Sequence, residues 1–205
     1  HQICLNAKVQ RPWVCNAMEN LLVHEQIASQ FLPAFIAKLE QEGVEVRGCA
    51  RTCQIAPQVK AAIETDWQTE YLDKILAVKI VPSLDEAVAL ANQIAPEHLV
   101  CDRETVARRT TRAGTVFVGP YGAQAAGDYA TGSNHVLPTG GAGRIRGGLS
   151  ASDFVHVHSV QRITRGGLET LAPTILQLAK AEGLNAHGES VRVRLQKTAR
   201  KTNGT

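Results

Sequence analysis

The chain has little aromatic content: Phe, Trp and Tyr together make up 4% of its 205 residues. A sizeable core must then be built from Ala, Val, Leu and Ile, the makeup of aliphatic strands beneath helices. No apolar run is long enough to span a bilayer, so no membrane partner is expected. Charge of one sign is also in short supply, with a formal net charge of +3. Much of that excess sits at the end, in Arg192, Arg194, Lys197, Arg200 and Lys201. No aromatic residue interleaves with these cations, so they read as a solvated end and no nucleic-acid partner is expected. The cysteines Cys4, Cys15, Cys49, Cys53 and Cys101 are odd in number and scattered, which argues against a disulfide framework and for a reducing cytoplasm. Cys49 and Cys53 form the only close pair, and a closed structural zinc site needs a second one. No cleavable signal stands at the start. The chain opens on His1–Ala7 without a Met, in what reads as the middle of a helix, and is expected to be a fragment or to start at an imposed boundary.

What is present is an alternation of strand and helix patterns. Leu21–His24 is a short apolar strand. Glu25–Glu42 places Ile27, Phe31, Leu32, Phe35, Ile36 and Leu39 at helical spacing, and Gly43 closes the helix. Val44–Val46, Ile75–Val81, His98–Cys101 and Thr115–Val118 read as further strands. Ser83–Glu86 is a capping box opening a helix through Ala87, Ala91 and Ile94. Glu104–Arg112 reads as a helix. There is no internal repeat and no low-complexity segment.

This alternation predicts an α/β fold: a mainly parallel sheet, continuous along the chain, with helices on both faces. Ligands in such sheets bind at the carboxyl ends of the strands, and the loop after Thr115–Val118 is expected there. From residue 140 the character changes. Leu168–Glu182 is an amphipathic helix, and Val191–Leu195 alternates like an edge strand. The expected division is an α/β domain over 1–139 and a helical appendage with a basic tail over 140–205.

Two loops carry chemistry. Gly119-Pro120-Tyr121 through Gly127-Asp128-Tyr129-Ala130 to Ser133-Asn134-His135-Val136-Leu137-Pro138-Thr139 sets an acid, an amide and a histidine in small-residue chain, where backbone approaches a ligand closely. With Ile94-Ala95-Pro96-Glu97-His98 and Ala181-Glu182-Gly183-Leu184 before Ala186-His187, it makes residues ~83–195 resemble histidinol dehydrogenase. Upstream, Gln10-Arg11-Pro12-Trp13-Val14-Cys15-Asn16 resembles the cysteine loop of gamma-glutamyl phosphate reductase (glutamate-5-semialdehyde dehydrogenase). Asn6-Ala7-Lys8, Leu21–His24, Asp66-Trp67 and Glu70–Asp73 extend that resemblance over residues ~6–87. Both families belong to the aldehyde dehydrogenase superfamily. A join near 77–86 therefore preserves an aldehyde-dehydrogenase-like catalytic architecture.

The resemblance implies roles residue by residue. Glu97 and His98 are the general acid–base pair for oxidising L-histidinol to L-histidine with NAD, and a near-neutral imidazole beside a carboxylate suits that work. Asp128 and His187 are zinc ligands, His187 reaching over from a partner copy, so a homodimer is implied. His135, with Asn134 beside it, contacts the small-molecule substrate. Cys15 is the nucleophile of the reductase, attacking an acyl carbon, with the Asn16 amide stabilising the oxyanion. The loop departs from that family at Trp13, usually Gly, whose indole is expected to crowd Cys15. Glu70 matches a position that touches the nicotinamide ribose of NAD or NADP.

Elements of both enzymes are missing. No Gln-x-x-His supplies the remaining zinc ligands. No Gly-x-Gly-x-x-Gly follows a strand, and Gly140–Gly148, after a Pro-Thr loop, is a poor phosphate cradle. His156 and His158 have no acidic or thiol companions and read as surface residues. Three readings stay open: a dehydrogenase closest to histidinol dehydrogenase, glutamate-5-semialdehyde dehydrogenase activity through Cys15, or a catalytically silent scaffold.

Overall fold

The computed structural model describes residues 1–196, so Lys197, Arg200 and Lys201 of the basic tail lie outside the described residues. The chain forms two compact units, His1–Phe154 and a second beginning at Val155. The division falls later than the expected boundary at 139, because residues 140–154 stay with the first unit.

In the first unit, β1 (Asn20–His24), β2 (Glu45–Gly48), β3 (Lys60–Ala61) and β4 (Ile75–Val81) pair in the order β1-β4-β2-β3. Every pairing is parallel. α2 (Glu25–Gln41) starts where Nδ1 of His24 accepts the Gln26 N–H at 3.2 Å, satisfying one orphan amide. It stops at Gly43, whose φ of +73° suits a residue without Cβ. The buried face of α2 is Ala28, Leu32, Phe35, Ile36 and Leu39. These side chains pack on Val23, Val46, Leu76, Val78 and Ile80 to form the core, with α1 (Gln2–Val9) and α3 (Ala50–Ile55) at its margins. Ala77 and Val81 alternate with that set along β4 and are also buried, so this strand is covered on both faces. α4 (Leu84–Ile94) packs on β1 and β4. Its cap is Oγ of Ser83, which accepts the Glu86 N–H at 3.2 Å.

The expectation of one continuous β-layer is overturned. β5 (His98–Cys101) and β6 (Thr115–Val118) pair in parallel as a separate two-stranded sheet. No residue of either strand is fully buried, whereas β4 is buried almost throughout. Short strands with a half-wet face do not supply the near-continuous apolar surface that an interior parallel strand needs. The helix expected over Glu104–Arg112 is the single turn α5 (Glu104–Ala107). Oδ1 of Asn92 takes the N–H groups of Thr111 and Arg112 at 2.8 and 3.2 Å and draws the chain out of the helix. α6 (Gln124–Tyr129) follows β6.

The second unit holds α7 (Arg165–Ala181) and α8 (Asn185–Gln196). Oγ1 of Thr164 caps α7 by accepting the Gly167 N–H at 3.1 Å. Val191–Leu195, expected as an edge strand, is helical. Gly188 and Val191 form its buried stripe, and a Cβ on Gly188 would come within 3.3 Å of Leu176, so α8 lies close against α7. Val155–Ile163 is neither helix nor strand and is exposed, and the rings of His156 and His158 stack at 5.8 Å. Among the described residues no helix is long and apolar enough to cross a membrane.

Candidate functional site

Three of the chemistry-bearing residues sit on segments that enter strands. Cys15 precedes β1, Glu70 precedes β4 and Glu97 precedes β5. The site therefore gathers at the amino ends of these strands, not at the carboxyl ends expected from the general α/β pattern. Asp128 joins it because α6 folds back after β6. Gly127 on α6 lies so near the Phe117 ring that a Cβ would be 2.7 Å from its Cζ.

Glu97 is placed by a sharp turn. α4 ends at Ala95 in the left-handed region, φ 54°, and Pro96 cannot continue a helix. The Glu97 carbonyl then accepts the Thr115 N–H at 2.8 Å, locking β5 to β6. Gly114 permits this approach, since a Cβ there would be 2.7 Å from the Glu97 carbonyl oxygen and 2.7 Å from Pro138. His98 follows, its ring stacked on Phe117 with centroids 6.2 Å apart. Oε2 of Glu97 lies 4.0 Å from Nδ1 of His98, and the two side chains are only 14% and 5% exposed. Oε1 of Glu97 and Nδ1 of His98 are buried and have no hydrogen-bond partner among the described residues. Burial, reinforced by the Glu70 carboxylate, pushes the Glu97 carboxyl up. Burial pushes His98 down, so its ring is neutral near pH 7. A carboxyl raised toward neutrality beside an uncharged imidazole can both accept and return a proton.

Asp128 stands between the two loops. Its Oδ2 accepts Nδ2–H of Asn16 at 3.0 Å, and its Oδ1 lies 2.8 Å from Nδ1 of His135. These bonds, that of His135 first, hold the Asp128 carboxyl below its ordinary range. The Asn16 amide, expected to face an oxyanion, is committed to Asp128 instead. Sequence reasoning missed this link across the two loops, and the one available signal was an Asn directly after the loop cysteine.

Cys15 is exposed. Burial of its sulfur, then the carboxylates of Glu97, Asp128 and Glu70, push its thiol up. Trp13, two residues before it, is 64% exposed. What quiets Cys15 is partial burial of its sulfur first and the surrounding negative charge second. Of the sequence candidates, Cys15, Glu70, Glu97, His98, Asp128 and His135 thus bear on one another. Asn134 is turned to its own backbone, Oδ1 accepting the Val136 N–H at 2.8 Å. His187 lies in the second unit on α8, its N–H donated to the Leu184 carbonyl at 3.0 Å.

The residues present do not fit a zinc ion. Among the described residues no group of three or more His, Cys, Asp or Glu side chains could hold a metal, and both oxygens of Asp128 are taken. Nor do the glycines after Pro138 form a phosphate cradle. After Pro138 the glycines run through turns and a 3-10 segment over Ala142–Arg144, with no strand-to-helix turn to cradle phosphate.

The histidinol dehydrogenase family model matches residues 49–195, starting well ahead of the join expected near 77–86. Histidinol dehydrogenase of Haloarcula marismortui is 47% identical over 141 residues, 67% of this chain and 32% of that protein. Gamma-glutamyl phosphate reductase of Moorella thermoacetica is 53% identical over 97 residues, 47% of this chain and 23% of that protein. The chain thus spans about a third or less of these relatives. The crystal structure of histidinol dehydrogenase from Elizabethkingia anophelis superposes with a TM-score of 0.65 at 29% identity, covering 96% of this chain and 42% of that one.

Proposed function

The chain belongs to the histidinol dehydrogenase family of oxidoreductases, and from that premise we propose that it carries the substrate-orienting and proton-handling part of a histidinol-dehydrogenase-type enzyme of the aldehyde dehydrogenase superfamily. The substrate class is an amino alcohol and its aldehyde, with L-histidinol the first candidate. One observation carries the reading: Glu97 and His98 lie side by side, each with a buried polar atom left without a partner. Such atoms cost about 1–3 kcal/mol when left unmade, so they are suited to a group that arrives with substrate. Glu97 is placed to take a proton from a substrate hydroxyl, or from a water beside a bound aldehyde, and to return it. Neutral His98 orients that hydroxyl or water through its unpartnered nitrogen, and His135, fixed by Asp128, meets the remainder of the substrate. NAD and zinc are implied by the family resemblance. The described residues do not fit zinc, and no step is routed through either group. A homodimer supplying His187 is part of the same proposal, and light scattering reads it.

Titration calorimetry tests substrate capture. L-histidinol is expected to bind, and Glu97→Gln to weaken it by about tenfold, the worth of one charge-assisted hydrogen bond. Binding of glutamate-5-semialdehyde with none of L-histidinol would transfer the assignment to the reductase.

A further inference from the structure

Among the described residues Lys8 is the one lysine in the core, with no exposed surface, and the acid–base chemistry above makes no use of it. Its Nζ donates to Oε2 of Glu19 at 3.3 Å, and that carboxylate is itself only 13% exposed. Glu19 in turn accepts the N–H of Tyr71 on Oε2 at 3.4 Å and the N–H of Leu72 on Oε1 at 3.3 Å. Leu72 is held at φ 49°, a left-handed conformation that a branched side chain adopts only under constraint. Asp73 is the other charged group bearing on Lys8. The backbone repeats the pattern, with Met18 N–H donating to the Ala7 carbonyl at 2.9 Å and Ala77 N–H to the Glu19 carbonyl at 3.0 Å. One buried ion pair thus ties three segments: α1, the end of the Cys15 loop, and the strained turn just past Glu70.

A buried ion pair is poor evidence for stability, because desolvation offsets the attraction. Its value lies in fixing geometry. We propose that Lys8 and Glu19 are positioning residues that hold the Glu70 turn and the Cys15 loop together, so that the Glu70 carboxylate faces Cys15 and Glu97. This rests on the reading that Cys15, Glu70 and Glu97 share one site. With the clamp intact, an anionic reagent or substrate is repelled at Cys15 while a neutral one is admitted.

The test compares alkylation of Cys15 by iodoacetate, an anion, and by neutral iodoacetamide, read by mass spectrometry of the Cys15 peptide. The ratio of the two rates reports the local field and is insensitive to a general loss of stability. Glu70→Gln should raise the iodoacetate-to-iodoacetamide ratio about threefold, the effect of one partly screened charge several ångströms away. Glu19→Ala should raise it by a similar factor although Glu70 keeps its charge. The Lys8→Met/Glu19→Ala double variant strands no buried ion and is expected to give the same rise, which keeps the test open if Glu19→Ala alone does not fold. A ratio that moves in Glu70→Gln but stays at the parent value in a folded clamp variant overturns the positioning role. A ratio unmoved by Glu70→Gln itself overturns the shared-site reading, and the clamp proposal with it.

Discussion

Replacing Gly127 with Ala sets two effects of known size against each other. Gly127 lies within α6, where Ala is worth about 1 kcal/mol more than Gly by helix propensity. Propensity alone therefore raises stability. Packing opposes it: the new Cβ would stand 2.7 Å from Cζ and 3.0 Å from Cε1 of Phe117, and 2.8 Å from Oγ of Ser133. Neither neighbour yields cheaply. The Phe117 ring is stacked on the His98 ring, and Oγ of Ser133 is bound to the Gly127 carbonyl at 3.1 Å. Overpacking costs about 1–3 kcal/mol, and with two atoms met inside 3.0 Å the upper part of that range, about 2–3 kcal/mol, applies, so the net change is a loss of about 1–2 kcal/mol. That is a fall of about 2–8 °C in the melting midpoint for a chain of this size. Thermal unfolding followed by circular dichroism measures it. Gly166→Ala is the control, on a helical glycine with nothing within 4 Å of its Cβ position, and should be neutral to stabilising. If Gly127→Ala melts at or above the parent temperature, the Phe117–His98 stack is not the rigid wall assumed here.

Two further outcomes follow from the charges. Because the Cys15 thiol is pushed up by burial and then by Glu97, Asp128 and Glu70, the pH profile of its iodoacetamide reaction should have its midpoint above the ordinary thiol range, and Glu97→Gln should move it down; rapid, selective labelling at neutral pH would contradict both. Asp66 is held below its ordinary range: although burial opposes it, the Ile63 N–H at 2.8 Å, Arg47 at 2.7 Å and the Tyr71 hydroxyl at 2.8 Å favour the carboxylate. Its stabilisation is present above the unfolded carboxylate range and disappears as pH falls through the lowered native range, so Asp66→Asn should cost about 2–4 kcal/mol in urea unfolding at neutral pH and progressively less in acid.

The parts of the fold that were legible are those where one physical signal dominates. Ile75–Val81 is aliphatic at every position but Lys79 and became a strand covered on both faces. Glu25–Gln41 had helical periodicity, and Ser83 had its cap. Val191-Arg192-Val193-Arg194 misled because the same letters fit either period. The close approach that Gly188 allows toward α7, a tertiary fact, selected the helix. The two-sheet arrangement was hidden because β5 and β6 resemble strands of any sheet, and partner choice depends on burial that a sequence does not record. Motif residues were identifiable one by one, but not what they bind: the bond from Asn16 to Asp128 joins residues far apart in the chain, and no local pattern announces it. The amino-end location was within reach, since Cys15, Glu70 and Glu97 each stand just before a strand; only Asp128 joins them through the folding back of α6.

The Asn16–Asp128 bond also has a kinetic meaning. Its partners are separated by 112 positions, so the pocket cannot exist until nearly all of the first unit has been synthesised and collapsed. A molecule that settles between those loops acts as a late fastener. Its capture should show up as protection of the whole unit from protease, including α2 and other parts well away from any contact with it.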